Sequence, residues 1–215
     1  MLKFTGAIFD QDGLLFDTEK VYQSAWVEAA RRQGVEVPVE FPRKFCGLGP
    51  KLIAGIVERE HPELDIPRYC RDAIDIAWGA QLSGVPEPKK GLLEMLRFCR
   101  ANGIRTSVAS SSTLKVVEHN LSAAGVRGYF DAITTGDEVM NSKPAPDIFL
   151  LAASKLGLEP AKCVVFEDAF SGIRGANAAG MGAVLVPDQT PPDGEIRRIA
   201  RVYPDLGAAI EVFKG

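Results

Sequence analysis

Ala7-Ile8-Phe9-Asp10-Gln11-Asp12-Gly13-Leu14-Leu15-Phe16-Asp17-Thr18-Glu19 is the stretch that decides the fold. A short apolar run ends in two aspartates one residue apart, and glycine follows at once. Buried aspartate is costly unless it is paired or bound to a metal, so a plain core strand has no use for this pair. Side chains two apart on an extended strand point to one face, which lets both carboxylates converge on one ligand. A hard divalent cation such as Mg²⁺ offsets their burial. The stretch reads as an active site at the carboxyl end of a first, central strand.

Two other apolar runs end in chemically loaded turns. Residues 106–109 lead into Ser110-Ser111-Ser112-Thr113, and residues 164–166 into Glu167-Asp168. Short, wholly apolar runs suit strands buried on both faces of a parallel sheet. Further strands are expected at 132–134 and 183–186, with helices at 91–102, 114–124, 146–156 and 172–179. Gly103, Gly125, Gly157 and Gly180 stand where those helices should stop. This alternation predicts an α/β protein with a doubly wound, Rossmann-like parallel-sheet core.

Residues 17–86 break the alternation. Helices are expected at 18–33, 50–60 and 67–82, the first capped by Asp17 or Thr18, with no strand run between them. Gly84-Val85-Pro86-Glu87-Pro88 closes the segment as a hinge. The expected organisation is a catalytic core of residues 1–16 and 87–215 with an inserted α-helical cap, 17–86, acting as a lid over the strand ends.

At 215 residues, 46% hydrophobic and 25% charged, the chain can bury a core without staples. A formal net charge of -3 gives no field that attracts a nucleic-acid polymer or an anionic membrane. No run approaches a membrane-spanning length, and the first apolar run is too short for a signal peptide. A cytoplasmic monomer is the expectation. Cys46, Cys70, Cys99 and Cys163 are scattered and read as reduced thiols. His61 and His119 stand away from them, which argues against zinc.

The acids carry the chemistry. The carboxylate of Asp10 can attack a phosphoryl group, forming an aspartyl phosphate that water then hydrolyses. Asp12 would protonate the leaving oxygen and later activate water, a role that calls for a pKa raised by burial beside a second carboxylate. Gly13 permits a tight turn whose amides face the phosphate. A calcium loop is the weaker reading, because Leu14, Leu15 and Phe16 offer no ligands. The Ser110 hydroxyl and the Ser111 amide would cradle the phosphate, with helix capping one or two residues later. Lys143, in Ser142-Lys143-Pro144-Ala145-Pro146, sits on a defined turn and can neutralise nucleophile and phosphate together. Glu167 and Asp168 would complete an oxygen-rich Mg²⁺ shell with Asp10 and the carbonyl of Asp12. The glycine-rich run 171–180 is neither a dinucleotide fingerprint nor a P-loop, and reads as close helix-to-sheet packing.

These four motifs, in this order, resemble the haloacid dehalogenase superfamily, and most of all its phosphatase and β-phosphoglucomutase-like branch with a helical cap. The resemblance covers essentially the whole chain. It implies Asp10 as nucleophile, Asp12 as acid/base, Ser110 and Lys143 as phosphate ligands, and Asp168, with Glu167, as metal ligands. Asp12 argues against the dehalogenase and phosphonate-cleaving members, which lack a second aspartate there. Mutase-like members carry a histidine where this chain has Tyr22, and a cap arginine where it has Pro50; both departures favour hydrolysis.

Gly47 and Lys51 in the cap are expected to meet the substrate, and Trp26 and Trp78 to pack the cap's own core. Leu92, Met95 and Phe98 have helical spacing and read as core. The expected activity is that of a Mg²⁺-dependent phosphatase acting on a small phosphorylated metabolite, a sugar phosphate or a nucleotide. The alternatives are a phosphosugar mutase and a catalytically inactive metabolite-binding module, the latter opposed by the complete acidic set.

Overall fold

A computed structural model describes residues 3–45, 50–188 and 191–214. Six parallel strands run β1 (Gly6–Phe9), β2 (Arg105–Ser110), β3 (Ala132–Thr135), β4 (Cys163–Glu167), β5 (Gly182–Leu185) and β6 (Arg201–Val202). Their order in the sheet is β3-β2-β1-β4-β5-β6, so β1 is central. The chain winds outward from β1 through β2 to β3, then crosses back to lay β4 on the other side of β1. That reversal opens a crevice at the carboxyl ends of β1 and β4, the place where such sheets bind ligands.

The helices that flank the sheet are α4 (Leu92–Ala101), α5 (Leu114–Ala123), α6 (Asp147–Leu156) and α7 (Phe170–Ala178), with two short ones, α8 (Ile196–Ile199) and α9 (Leu206–Ala209), towards the C-terminus. Successive residues of β1 serve opposite faces. Ala7 and Phe9 pack with Leu92, Met95 and Phe213; Ile8 packs with Phe149, Ala152 and Ala176. All four β1 residues are buried, which explains its unbroken apolar run. Phe9 stacks on Phe166 of the neighbouring strand at 4.8 Å, a contact worth about 0.5–1.5 kcal/mol beyond its buried area.

Between β1 and β2 lie α1 (Glu19–Arg31), α2 (Pro50–Glu60) and α3 (Ile66–Gln81), and the described residues of this segment form no strand. They share a core of their own, where Trp26 meets Phe45 and Tyr69 with ring centroids 5.0 Å apart in each case. The two connections to the sheet run side by side: the amide of Asp17 donates to Glu87 O, and that of Lys89 to Leu15 O, each at 2.9 Å. The expected capping of the first helix does not occur. Thr18 occupies the cap position without a side-chain bond, and Asp17 pairs with Lys20 instead. Gly103, Gly125, Gly157 and Gly180 all take the left-handed backbone that ends a helix. Cys70, Cys99 and Cys163 are free thiols. No helix among the described residues is long and apolar enough to cross a membrane.

Candidate active site

Four remote segments meet at the crevice. The β1–β4 ladder continues one step past β1, where the Asp10 amide donates to Phe166 O at 3.0 Å and holds the aspartate at the strand's edge. Lys143 reaches it from the loop before α6, where Ser142 O accepts from the amide of Ala145 and the Lys143–Pro144 peptide is cis. Its ammonium donates to Asp10 Oδ1 at 2.5 Å, Glu167 Oε1 at 2.7 Å and Ala109 O at 3.1 Å. All three N–H bonds are thereby used. The side chain is only 8% exposed, so Lys143 is not a solvated surface charge. Its neighbouring carboxylates raise its pKa against the effect of burial, and it stays charged.

Asp12 lies beside this pair. Burial and the charge of Asp10 push its carboxyl up to about 6, against the hydrogen bond from Ser112, the nearby Thr18 hydroxyl and the charge of Lys143. Ser112 Oγ donates to Asp12 Oδ2 at 2.9 Å, while Asp12 Oδ1 has no protein partner. Burial and four carboxylates, Glu167, Asp10, Glu19 and Asp188, drive the pKa of Asp168 well above its ordinary value. Oxygens of Asp10, Glu167 and Asp168 lie within 4.8 Å of one another. Three carboxylates with no histidine or cysteine form a donor set that fits a hard ion such as Mg²⁺. Asp168 also approaches Glu19 and Asp188, and Lys89, just after the hinge, holds Asp188 at 2.6 Å.

Two glycines make room for these acids. Gly13 has φ +80°, and a Cβ there would stand 2.2 Å from Asp168 Oδ2. A Cβ on Gly172 would stand 1.9 Å from Glu167 Oε1. The helix-packing reading of the 171–180 run therefore misses the purpose of Gly172, which is to admit a carboxylate.

A family model for haloacid dehalogenase-like hydrolases matches residues 4–180. The chain belongs to this family. Among its relatives, the fructose-1-phosphate phosphatase YqaB of Escherichia coli is 36% identical over 186 residues, spanning 86% of this chain and 97% of that protein. A probable pseudouridine-5'-phosphatase of Drosophila melanogaster is 36% identical over 200 residues, spanning 86% of this chain and 83% of that one. The crystal structure of CbbY from Rhodobacter sphaeroides with phosphate superposes with a TM-score of 0.80 at 26% identity, covering 100% of both chains. The chain sits in the phosphatase and β-phosphoglucomutase-like branch of the haloacid dehalogenase-like hydrolases.

A cleft of about 480 Å³ opens over the acids. Asp10, Asp12, Ser111, Ser112, Lys143, Glu167 and Asp168 line one end of it, and residues of α1 and α3 with Pro42, Phe45 and Ile53 line the other. Ser110 is fully buried beneath it, and its hydroxyl accepts from the Ser112 amide at 3.1 Å. Capping by Ser111 or Ser112 is overturned: Thr113 holds the cap position of α5 without a side-chain bond, and the Ser112 hydroxyl goes to Asp12. Trp78 is half-buried and lines the cleft, as Trp26 does, so neither serves the cap's core alone. Lys51 lies exposed in the first turn of α2 and is not among the described lining residues, although Ile53, two residues on, is. Gly47 lies outside the described residues.

Sequence reasoning missed Ser112 as a partner of Asp12 and missed Asp188 beside Asp168. Three serines in a row give no local sign of which hydroxyl faces the acid. Asp188 follows β5 in a turn that looks like any polar loop.

Proposed function

We propose that this phosphoric monoester hydrolase acts on a small phosphorylated metabolite, with Mg²⁺, through an aspartyl phosphate on Asp10. The observation that carries the reading is the three-way seat of Lys143 on Asp10, Glu167 and Ala109 O, which gathers the ends of β1, β2 and β4 around one buried ammonium. Asp10, Glu167 and Asp168 would hold the metal. When bound, Mg²⁺ supplies positive charge that the phosphoryl oxygens and the three carboxylates otherwise lack.

The side chains divide the work. Asp10 attacks phosphorus with a carboxylate oxygen, and the bond to the leaving oxygen breaks. Asp12, whose carboxyl is pushed up to about 6, gives that oxygen its proton. Oδ1 is the oxygen left to carry the proton, since Oδ2 accepts from Ser112. In the second half Asp12 takes a proton from water, which attacks the phosphorus and releases Asp10. Lys143 pairs with Asp10 and faces the charge that builds on the phosphoryl group. Residues 17–86 act as a cap whose inner wall excludes bulk water from the cleft.

The test is phosphate release from p-nitrophenyl phosphate. Turnover is expected with Mg²⁺, and none is expected with a chelator or in Asp10→Asn. Faster interconversion of glucose 1-phosphate and 6-phosphate than phosphate release would convert the assignment to mutase. Silence on that ester and on a panel of phosphorylated metabolites would leave only a binding module.

A further inference from the structure

The cleft has two ends of opposite character. One end carries the acids and Lys143; the other is walled by Trp26, Pro42, Phe45, Ile53, Ile74 and Trp78. Both tryptophans of the chain are in that wall. Trp26 is largely buried and fixed by Phe45 and Tyr69, with ring centroids 5.0 Å from each, so the part of it that lines the cleft has little freedom to lose. Rigid aromatic surface binds a flat ring at low entropic cost.

The charges point the same way. Among the described lining residues there are five acids, namely Asp10, Asp12, Glu19, Glu167 and Asp168, against the single base Lys143. Asp10, Glu167 and Ala109 O already take all three of its protons. Among the described lining residues no cation remains for a second phosphate, and desolvating an unpaired anion there is expensive. Apart from Glu19, Tyr22 and Gln23, the described cap-side lining is apolar, which leaves the hydroxyls of a sugar short of partners.

We infer, resting on the phosphatase reading above, that the preferred substrate is a phosphomonoester whose leaving group is uncharged and carries an aromatic ring, as a nucleoside does, and that bisphosphates are rejected. The ring lies against the Trp26–Trp78 wall while the phosphate meets Asp10.

The test compares matched pairs in steady-state phosphate release by the full chain with Mg²⁺. Uridine 5'-monophosphate and ribose 5-phosphate differ by the ring alone. Fructose 1,6-bisphosphate and fructose 6-phosphate differ by one phosphate. The expected kcat/KM for uridine monophosphate is about ten-fold or more above ribose 5-phosphate, through KM, and the bisphosphate is expected to be the poorer of its pair. Trp78→Ala should bring the first ratio near one, and Trp78→Phe should keep it. In Asp10→Asn, uridine monophosphate should quench tryptophan fluorescence at concentrations where ribose 5-phosphate does not. A first ratio near or below one in the unmodified protein, or preference for the bisphosphate, overturns the inference and leaves the phosphatase reading standing. No release from any of these esters, p-nitrophenyl phosphate included, overturns both.

Discussion

The hydroxyl of Ser112 donates to Oδ2 of Asp12 across 2.9 Å, and the phenol oxygen of Tyr22 stands 3.3 Å from that same hydroxyl. The proposed acid/base thus touches the turn after β2 directly and α1 of the cap through one intermediate. Its carboxyl is pushed up to about 6 because burial and Asp10 disfavour the anion more than Ser112 favours it. A carboxyl that must be protonated to expel the leaving group serves well below its pKa and poorly above it.

The kcat/KM for a phosphomonoester, which reports the first transfer, should therefore fall as pH rises through about 6. Ser112→Ala removes a bond that favours the charged form, so the carboxyl's pKa rises and the fall moves to higher pH by about one unit. Parallel pH–rate profiles of the two proteins check this. Identical profiles would take Ser112 out of the control of Asp12.

Lys143→Met leaves Asp10 and Glu167 buried without their counter-ion, a fault that costs about 3–5 kcal/mol when one member of a buried ion pair is removed. Urea unfolding of the metal-free proteins measures it. A loss below about 1 kcal/mol would mean that the two carboxylates find other compensation, and that the ammonium is not what holds the strand ends together.

How far the site was legible follows from what each signal depends on. Asp10, Asp12, Lys143 and Asp168 were visible because each closes an apolar run or sits in a proline frame, and those patterns are local. The central place of β1 followed from its unbroken apolar run ending in two aspartates. β6, two residues long, carries Arg201 and only a half-buried Val202, so it has no period to detect. The Ser112–Asp12 bond spans a sequence separation of 100 and depends on how two turns face each other, which no local pattern records. Trp78 was legible as apolar but not as cleft wall, because helical spacing places a residue on a face and does not say what that face meets. Gly172 looked like packing for the same reason: its neighbour Glu167 is five residues back, across a strand-to-helix turn.

Metal removal has a readout in stability as well as activity. Asp10, Glu167 and Asp168 crowd their oxygens within 4.8 Å, and a bound cation relieves the repulsion in the folded state alone. Mg²⁺ should raise the Tm in a concentration-dependent way, and a chelator should lower it. Asp168→Asn removes one charge from the cluster, so its metal-free Tm should match or exceed that of the unmodified protein while the response to Mg²⁺ disappears. An undiminished Mg²⁺ response in that variant would place the ion elsewhere.

Gly172→Ala sets two effects against each other. Alanine is the better helix former, by up to about 1 kcal/mol, and Gly172 lies buried in the first turn of α7. Its new Cβ, however, would fall 1.9 Å from Glu167 Oε1, so the carboxylate must leave its seat between Lys143 and the cluster. Moving even a group that only supports a metal ligand costs about 10–100-fold in metal affinity, and Glu167 is proposed as a ligand itself. The variant should fold, yet need at least about ten-fold more Mg²⁺ for half-maximal phosphate release, and the same shift should appear in its Mg²⁺-dependent Tm. If both titrations coincide with those of the unmodified protein, Glu167 has no part in holding the ion, and the metal set contracts to Asp10 and Asp168.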